Sequence, residues 1–228
     1  MLEIFTTAIN GLPHRFGFVE LIDGWVVTPK NKGWLNDECK DDPIIIDNGA
    51  YSAYVNNEEI NPVDSLQEIE QLILKYNNQI RFAVIPDKVG DNSKTLQYGV
   101  ESASIINNNN LLKGVPWAFV IQNGYNKKDI IKIISQPGFM ISYLFIGGNG
   151  WDFKRAAIDD LKDLGIKLHV GAISKFEQLI YCHSIEAVES VDNSTFSNGL
   201  NSNNALKYIE RILTLKALDS GVQRRLNE

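Results

Sequence analysis

The 228-residue sequence lacks the features of a membrane or exported protein. No apolar run approaches the roughly 18 residues that a membrane-spanning helix needs. The first eleven residues contain no basic stretch followed by an apolar one, so no secretory signal is predicted. We therefore expect a cytoplasmic protein with no membrane partner.

Cysteine and positive charge are both scarce. The two cysteines, Cys39 and Cys182, lie far apart in the sequence, which argues against a disulfide framework and a four-cysteine zinc site. Lys and Arg total 22 against 28 Asp and Glu, which gives a net charge of −6. This balance argues against a protein that coats nucleic acid through bulk positive charge, but it is compatible with a local patch that binds one nucleotide.

The common cofactor signatures are missing as well. The segment Gly147-Gly148-Asn149-Gly150 lacks the Lys-Ser/Thr ending of a P-loop, and no Rossmann fingerprint is present. The three histidines have no metal-ligand spacing with the cysteines. Neither a metal site nor a cofactor is predicted.

What the sequence does contain is an alternation of short apolar runs with segments of helical period, against a background of 44% hydrophobic residues. The runs are rich in β-branched and aromatic residues and are bounded by Gly, Pro, Asn or Asp. They predict strands over residues 2–7, 25–28, 44–47, 81–86, 117–121, 143–146, 167–170 and 188–191. The intervening periodic segments predict helices over residues 64–77, 93–107, 127–135, 153–164, 174–183 and 204–218.

Strand and helix alternating in this way indicate a parallel sheet covered by helices. Eight candidate strands favour a closed (β/α)8 TIM-like barrel, formed as a single domain over residues 1–228. The first two units are irregular, because residues 8–24 and 30–42 show little helical period. An open doubly wound sheet is the alternative.

Polar or glycine residues stand at the ends of six predicted strands. In a β/α barrel, the residues that carry the chemistry gather at the carboxyl ends of the strands. A lone Asp there is often a helix cap, and a glycine pair is often only a turn. Repetition of the pattern on successive units favours a shared site at one mouth. The residues are Asp47, Asp87, Gln122, Gly147 with Gly148, Gly171 and Asp192.

Two basic residues also follow strand ends closely. Lys127 and Lys154 are explained well enough as solvated surface residues, and their alternative role is contact with a phosphate at the rim.

This set of residues is suited to glycosyl chemistry on a purine nucleotide. One of two facing carboxylates, Asp47 or Asp192, can attack an anomeric carbon while the other shuttles protons. A third carboxylate, Asp87, can accept two hydrogen bonds from a guanine edge. Gln122 and exposed glycine amides can bind the O6 edge of the base.

These motifs resemble those of tRNA-guanine transglycosylases. The segments concerned are Ile46-Asp47-Asn48-Gly49-Ala50-Tyr51, Val120-Ile121-Gln122-Asn123-Gly124, Ile146-Gly147-Gly148 and Val191-Asp192. Over residues 43–198 the similarity is closest to the shorter, largely phage-encoded DNA 7-deazaguanine transglycosylases of the DpdA type. The protein would then act in the host cytoplasm.

The resemblance implies a role for each site residue. Asp192 would be the nucleophile that forms a covalent ester with deoxyribose, and Asp47 would be the general acid/base. The remaining site residues would hold the base, while guanine leaves and a 7-deazaguanine such as preQ0 enters, without a cofactor. These are Asp87, Gln122, Gly147, Gly148, Tyr51 and Gly171.

The sequence departs from the pattern of that family, and this departure determines which nucleic acid is the expected partner. Nothing in the sequence matches the family's zinc subdomain, so the resemblance implies DNA as the polymer and leaves tRNA as the alternative. The target base would be flipped out or presented in a single strand. The acidic balance is compatible with a partner protein that recruits the DNA. A tRNA or nucleoside transglycosylase, an N-glycosidase and a silent base-binding barrel are the other interpretations.

Overall fold

The chain folds into a closed barrel of eight parallel strands, each paired with its neighbours in chain order. The computed structural model describes residues 2–7, 22–31, 41–193 and 203–226. The first strand pairs with the last, with Glu3 opposite Ser190 and Phe5 opposite Asp192, and this pairing closes the barrel. The predicted (β/α)8 barrel is confirmed, and the open doubly wound sheet is wrong because it would leave these two strands unpaired.

All eight strands lie close to their predicted positions. They are β1 (Glu3–Thr7), β2 (Gly24–Val27), β3 (Ile44–Ile46), β4 (Ile80–Val84), β5 (Trp117–Ile121), β6 (Ile141–Ile146), β7 (Lys167–Val170) and β8 (Val188–Asn193).

Helices follow most of the strands. Those described are α1 (Ala50–Val55), α2 (Pro62–Tyr76), α3 (Asn92–Asn107), α4 (Asn110–Lys113), α5 (Lys127–Ile134), α6 (Trp151–Leu161), α7 (Phe176–His183) and α8 (Asn203–Leu226). Short 3-10 turns occupy Pro29–Asn31, Asn77–Gln79 and Lys162–Leu164. The sequence did not predict α1 and α4, which are too short to show a helical period, and α8 continues beyond the predicted end at residue 218.

Two apolar layers hold the barrel, as expected when both faces of a parallel sheet are buried. Along β4, Phe82 and Val84 point into the barrel interior, whereas Ala83 packs with the surrounding helices. The interior cluster consists of Phe5, Val26, Ile45, Phe82, Val84, Ala118, Val120, Tyr143 and Phe145. The lumen is therefore a packed core rather than a channel.

Charged residues form ion pairs across the amino-terminal end of the barrel. Arg81 Nη2 lies 2.9 Å from Glu3 Oε1 and 3.0 Å from Glu189 Oε2. Lys167 Nζ and the Tyr143 hydroxyl each lie 2.5 Å from a Glu189 carboxylate oxygen. This end serves stability in β/α barrels, and the opposite end carries the chemistry.

Helix starts at the carboxyl end of the barrel are fixed by side-chain caps. Asn61 accepts hydrogen bonds from backbone N–H groups in the first turn of α2, and Asp91 and Asn126 cap α3 and α5 in the same way. These caps satisfy amide donors that a helix start leaves without partners. They also fix where each loop leaves the mouth. Asn109 caps α4 at the opposite end of the barrel, where α3 ends.

Candidate active site at the barrel mouth

The structure brings the three predicted aspartates together at the carboxyl end of the barrel. Asp47 follows β3 directly and Asp87 follows β4, while Asp192 lies within β8, which runs two residues further than predicted. The three are close enough for the charges of Asp192 and Asp87 to raise the pKa of Asp47. The expected convergence on one mouth is therefore present.

Asp47 is held in a state in which its carboxyl group can exchange protons near neutral pH. Burial, with the charges of Asp192 and Asp87 added, raises its pKa to about 7, although a backbone hydrogen bond from Gly49 opposes the shift. That bond runs from Gly49 N–H to Asp47 Oδ1 over 2.7 Å, and Gly49 has a φ of +78°. Asp47 thus does cap the turn before α1, but this uses one carboxylate oxygen only.

Asp192 is held in the ionised state, because its pKa is shifted in the opposite direction from that of Asp47. Burial by itself would raise its pKa, but hydrogen bonds and the charges around the carboxylate together lower it below the ordinary value. His169 Nε2 lies 3.0 Å from Oδ2, and the Ala172 N–H donates to Oδ1 over 2.8 Å. The positive charge of Lys154 acts in the same direction.

His169 orients Asp192 from inside the barrel. Its Nδ1 lies 2.8 Å from Ser190 Oγ, and its ring is fully buried against Phe82 and Phe145. The sequence placed His169 in a strand but gave it no role. Strand alternation is the signal that points to it, since His169 and Gly171 stand two residues apart and face the same side.

Asp87 and Gln122 form a closed network with Asn48. Asn48 Nδ2 donates to Asp87 Oδ1 over 2.8 Å and to the Ile85 carbonyl over 2.7 Å, and Gln122 Nε2 donates to Asp87 Oδ2 over 2.7 Å. Gly90 N–H donates to Gln122 Oε1 over 3.3 Å. Burial raises the pKa of Asp87 to about 6, against the effect of these amide donors. Both carboxylate oxygens that were expected to bind a base edge are therefore already bonded within the protein.

The glycine pair after β6 has a steric role. The amides of Gly147 and Gly148 both donate to the Ile121 carbonyl, at 3.3 and 3.2 Å, so the expected free amide donors are absent. A Cβ atom on Gly148 would lie 2.2 Å from the Phe153 ring and 2.6 Å from Asn123 Oδ1. Position 148 requires glycine because Phe153 of α6 packs directly onto the turn, whereas a Cβ atom on Gly147 would lie 3.2 Å from Phe145 and Val120.

Gly171 and Tyr51 differ in their relation to the mouth. A Cβ atom on Gly171 would lie 2.9 Å from Phe145 Cε1 and 3.4 Å from Asp192 Oδ2, so the missing side chain lets Phe145 and Asp192 both pack against this position. Tyr51 lies on α1, four residues after Asp47, with 67% of its surface exposed. The Tyr51 side chain is mostly exposed to solvent, whereas Gly171 packs against Asp192.

The ammonium groups of the two lysines considered for a phosphate at the rim both contact other residues of the protein. Lys154 is buried, with 7% of its surface exposed, and its Nζ lies 2.5 Å from the Gly171 carbonyl oxygen. The surface interpretation of Lys154 is wrong because α6 packs its first turn against the segment after β7. Lys127 pairs with Asp160, its Nζ lying 3.2 Å from Oδ1.

In the part of the chain that the structure describes, no group of three or more His, Cys, Asp or Glu side chains is arranged to hold a metal ion. No helix in the same part is long and apolar enough to cross a membrane.

The sequence matches no protein-family model and no curated protein. Its fold is similar to that of KGPDC from Streptococcus mutans, at a TM-score of 0.55 and 8% identity over 94% of this chain and 97% of that one. A tryptophan synthase complex from Pyrococcus furiosus gives a TM-score of 0.54 at 12% identity, covering 92% and 95% of the two chains. The 4-hydroxy-2-oxoglutarate aldolase from TTHB1 gives 0.52 at 13% identity, covering 95% and 92%.

These comparisons overturn the predicted resemblance. The similar structures are KGPDC, tryptophan synthase and aldolase barrels rather than tRNA-guanine transglycosylases, so the assignment to that superfamily and its DpdA-type members is wrong. The predicted exchange of guanine for a 7-deazaguanine in DNA is wrong with it, as is glycosyl transfer as the reaction type. DNA, tRNA, preQ0 and a recruiting protein were expected as partners through that function, and they lose their basis.

The hydrogen bonds within the turn after β3 explain why its sequence resembled the motif of another family. In Asp47-Asn48-Gly49-Ala50 the first two side chains accept hydrogen bonds from the backbone two residues on, and Gly49 supplies a positive φ. Any strand-to-helix turn of this shape favours these residue types. The motif therefore specifies a local backbone conformation, and a barrel of any function can contain it.

Proposed function

We propose that this protein is an acid–base enzyme that moves protons on a small polar hydroxy-carbonyl substrate in the mouth of the barrel. The observation that carries the proposal is the pair Asp47 and Asp192, two carboxylates at one mouth whose surroundings shift their pKa values in opposite directions. Two titratable groups whose surroundings shift their pKa values apart are the usual basis for assigning an acid and a base in an active site.

Asp47 is the group that exchanges protons with the substrate. A pKa of about 7 leaves it half protonated at neutral pH, where proton transfer in both directions is most effective. Its Oδ1 atom is bound to Gly49, and Oδ2 has no hydrogen-bond partner among the described residues. Oδ2 is the atom from which the proton moves.

Asp192 binds and orients the substrate. Its carboxylate stays ionised and is fixed at both oxygens, Oδ2 by His169 and Oδ1 by the backbone at Ala172. An ionised carboxylate in a fixed orientation accepts a hydrogen bond from a substrate hydroxyl and holds the neighbouring carbon against Asp47. The Asn48–Asp87–Gln122 network supports the wall beside Asp47.

The structures of similar fold suggest which reaction to test first. One of them is named as an aldolase, a class that makes and breaks a carbon–carbon bond beside a carbonyl group. Chemistry of this kind requires proton transfer at a hydroxyl or at a carbon next to the carbonyl. Two carboxyl groups with different pKa values can carry out this step, one by exchanging the proton and the other by binding the substrate. At 13% identity the likeness shows the fold alone, so the aldolase name selects only the first compounds to test, and the proposal itself rests on the two carboxylates.

Proton exchange in D2O tests the proposal and does not require the product to be identified. The protein is incubated with dihydroxyacetone, D-ribulose, D-fructose and their phosphate esters, and the loss of C–H signals is followed by proton NMR. We expect enzyme-dependent exchange for at least one compound, reduced about 10²- to 10⁴-fold by Asp47→Asn. Asp64→Asn, a change at an exposed carboxylate in the first turn of α2, is the matched control and should exchange at the wild-type rate.

Two results would count against the assignment. Exchange that survives both Asp47→Asn and Asp192→Asn would remove the carboxylate pair from the reaction. A folded protein that exchanges no compound of the panel would exclude proton transfer on simple hydroxy-carbonyl substrates.

A further inference from the structure

The turn that follows β7 has a backbone conformation that its sequence does not favour. Ala172 has a φ of +56°, in the left-handed region where a Cβ atom is disfavoured. Such a conformation persists only where the surrounding structure enforces it, and it is concentrated at functional sites. The contacts that enforce it are therefore informative about the site.

The conformation of Ala172 directs two backbone donors at one residue. The Ala172 N–H donates to Asp192 Oδ1 over 2.8 Å, and the Ile173 N–H donates to the Asp192 carbonyl over 2.8 Å. Asn193 Nδ2 donates to the Ile173 carbonyl over 2.7 Å and joins the turn to β8 from the other side. The turn is therefore part of the structure that orients the Asp192 carboxylate.

Lys154 holds the start of the same turn. Its ammonium group is buried and donates to the Gly171 carbonyl over 2.5 Å, directly before Ala172. Burial of a lysine is unfavourable and lowers its pKa, while the negative charge of Asp192 opposes that shift. A buried ammonium that binds a backbone carbonyl beside a carboxylate is compensated by both groups.

We propose that Lys154 is a positioning residue for Asp192: its ammonium binds the Gly171 carbonyl and holds residues 171–173 in the conformation that directs the Ala172 N–H at the Asp192 carboxylate. The importance of Asp192 for turnover rests on the proposed function, but the positioning itself does not. Lys154 has two effects on Asp192, a geometric one through the turn and an electrostatic one through its charge.

Other groups also set the ionisation of Asp192, and the test has to separate Lys154 from them. The titratable groups facing this pair from the packed elements are Asp47 after β3, His169 on β7, Tyr208 on α8 and, beside Lys154, Cys182 on α7.

Two NMR signals report on the two effects without any need for turnover. The amide proton of Ala172 reports the hydrogen bond to Asp192, and the Cγ resonance of Asp192 reports its titration. In Lys154→Met, which keeps an unbranched side chain and removes the charge, the Ala172 amide signal should move upfield. The pKa of Asp192 should rise by about one pH unit as an opposite charge is lost. Lys154→Arg should partly restore both the Ala172 amide shift and the pKa of Asp192.

A second substitution separates the geometric effect from the electrostatic one. In Lys154→Met/Ala172→Gly, glycine adopts the positive φ without a steric penalty, so the amide signal at position 172 should return toward a hydrogen-bonded value. The pKa of Asp192 should recover only in part because the positive charge is still missing. If glycine does not restore the amide signal, the role assigned to the backbone conformation is wrong.

The proposal is overturned if folded Lys154→Met shows the wild-type Ala172 amide shift and the wild-type titration of Asp192. If Lys154→Met does not fold, Lys154→Gln makes the comparison, because it keeps an N–H donor and loses the charge. It should preserve the Ala172 amide signal and raise the pKa of Asp192, and a wild-type titration would contradict the proposal. Failure of the D2O exchange assay would leave both NMR results unchanged, so the two proposals fail separately.

Discussion

The imidazole of His169 connects β7 to β8 through two side-chain contacts, with Nε2 3.0 Å from Asp192 Oδ2 and Nδ1 2.8 Å from Ser190 Oγ. Because its ring is buried among interior aromatic residues, its orientation is fixed by packing as well as by hydrogen bonds. Removing the imidazole therefore affects both the ionisation of Asp192 and the stability of the barrel.

His169→Gln should raise the pKa of Asp192 and lower the free energy of unfolding by about 1–3 kcal/mol, the cost of a buried polar group left unpaired. The carboxyl pKa is followed by NMR and the unfolding free energy by urea titration. His183→Gln, at the last residue of α7, is the matched histidine control and should leave the Asp192 titration unchanged. A His169 variant with the wild-type Asp192 titration would show that the imidazole does not set this charge.

Asp47 gives the stability of the protein a distinct pH dependence. Its pKa is raised from 3.8 to about 7 on folding, so the folded state binds more protons than the unfolded state between these values. The contribution of the protonated carboxyl is complete below about pH 4 and is lost as the pH rises through 7. In Asp47→Asn this dependence is removed, because the amide does not titrate and its oxygen still accepts from Gly49.

The unfolding free energy of Asp47→Asn relative to wild type should therefore increase between pH 4 and pH 8, by up to about 4 kcal/mol. Urea titrations at four pH values across this range measure it. Asp87 has a raised pKa as well and contributes a dependence of the same sign to both proteins, so the difference between them reports Asp47 together with its charge coupling to Asp87 and Asp192. A difference that does not change with pH would contradict the assignment of a raised pKa.

The Asn48–Asp87–Gln122 network should behave as one unit. Gln122→Ala removes the donor to Asp87 Oδ2, and Asn48→Ala removes the donor to Oδ1, each at a cost of about 1–3 kcal/mol. Because both act on the same carboxylate, the double variant should differ from the sum of the single variants by at least about 0.5 kcal/mol. Urea unfolding of the four proteins gives this coupling, and strict additivity would show that the two amides act independently.

Gly148 should tolerate no side chain. Gly148→Ala places a Cβ atom 2.2 Å from the Phe153 ring and should cost about 1–3 kcal/mol. Gly114→Ala is the matched control, because its nearest atom would be 3.5 Å away and its φ is −79°. Thermal unfolding compares the two, and equal melting temperatures would mean that the turn after β6 rearranges without cost.

Much of the fold could be predicted because the buried strands are marked by short apolar runs in the sequence. Each strand is a short apolar run between turn residues, and β5 and β7 have the predicted bounds. The convergence of Asp47, Asp87 and Asp192 follows from the same reasoning, since the carboxyl ends of parallel strands share one end of a barrel. The position of a residue along a strand was thus enough to find the carboxylates.

The partners of those carboxylates could not be predicted, because they depend on tertiary packing. Lys154 lies in the first turn of a helix, where lysines are usually solvated, and only the packing of α6 against the segment after β7 buries it. The contact between Asn48 and Asp87 joins two loops 39 residues apart. Such contacts decide whether a carboxylate is free to bind a ligand, and no local pattern in the sequence records them.

The pairing of β1 with β8 has a consequence for synthesis of the protein. A nascent chain that has not yet emerged through β8 already contains Asp47 and Asp87, but its first strand has no neighbour on one edge and Asp192 is missing. Since nearly the whole polypeptide must be available before the circle of strands closes, Asp47 and Asp192 come together only after translation has passed β8, and shorter fragments lack the complete carboxylate pair.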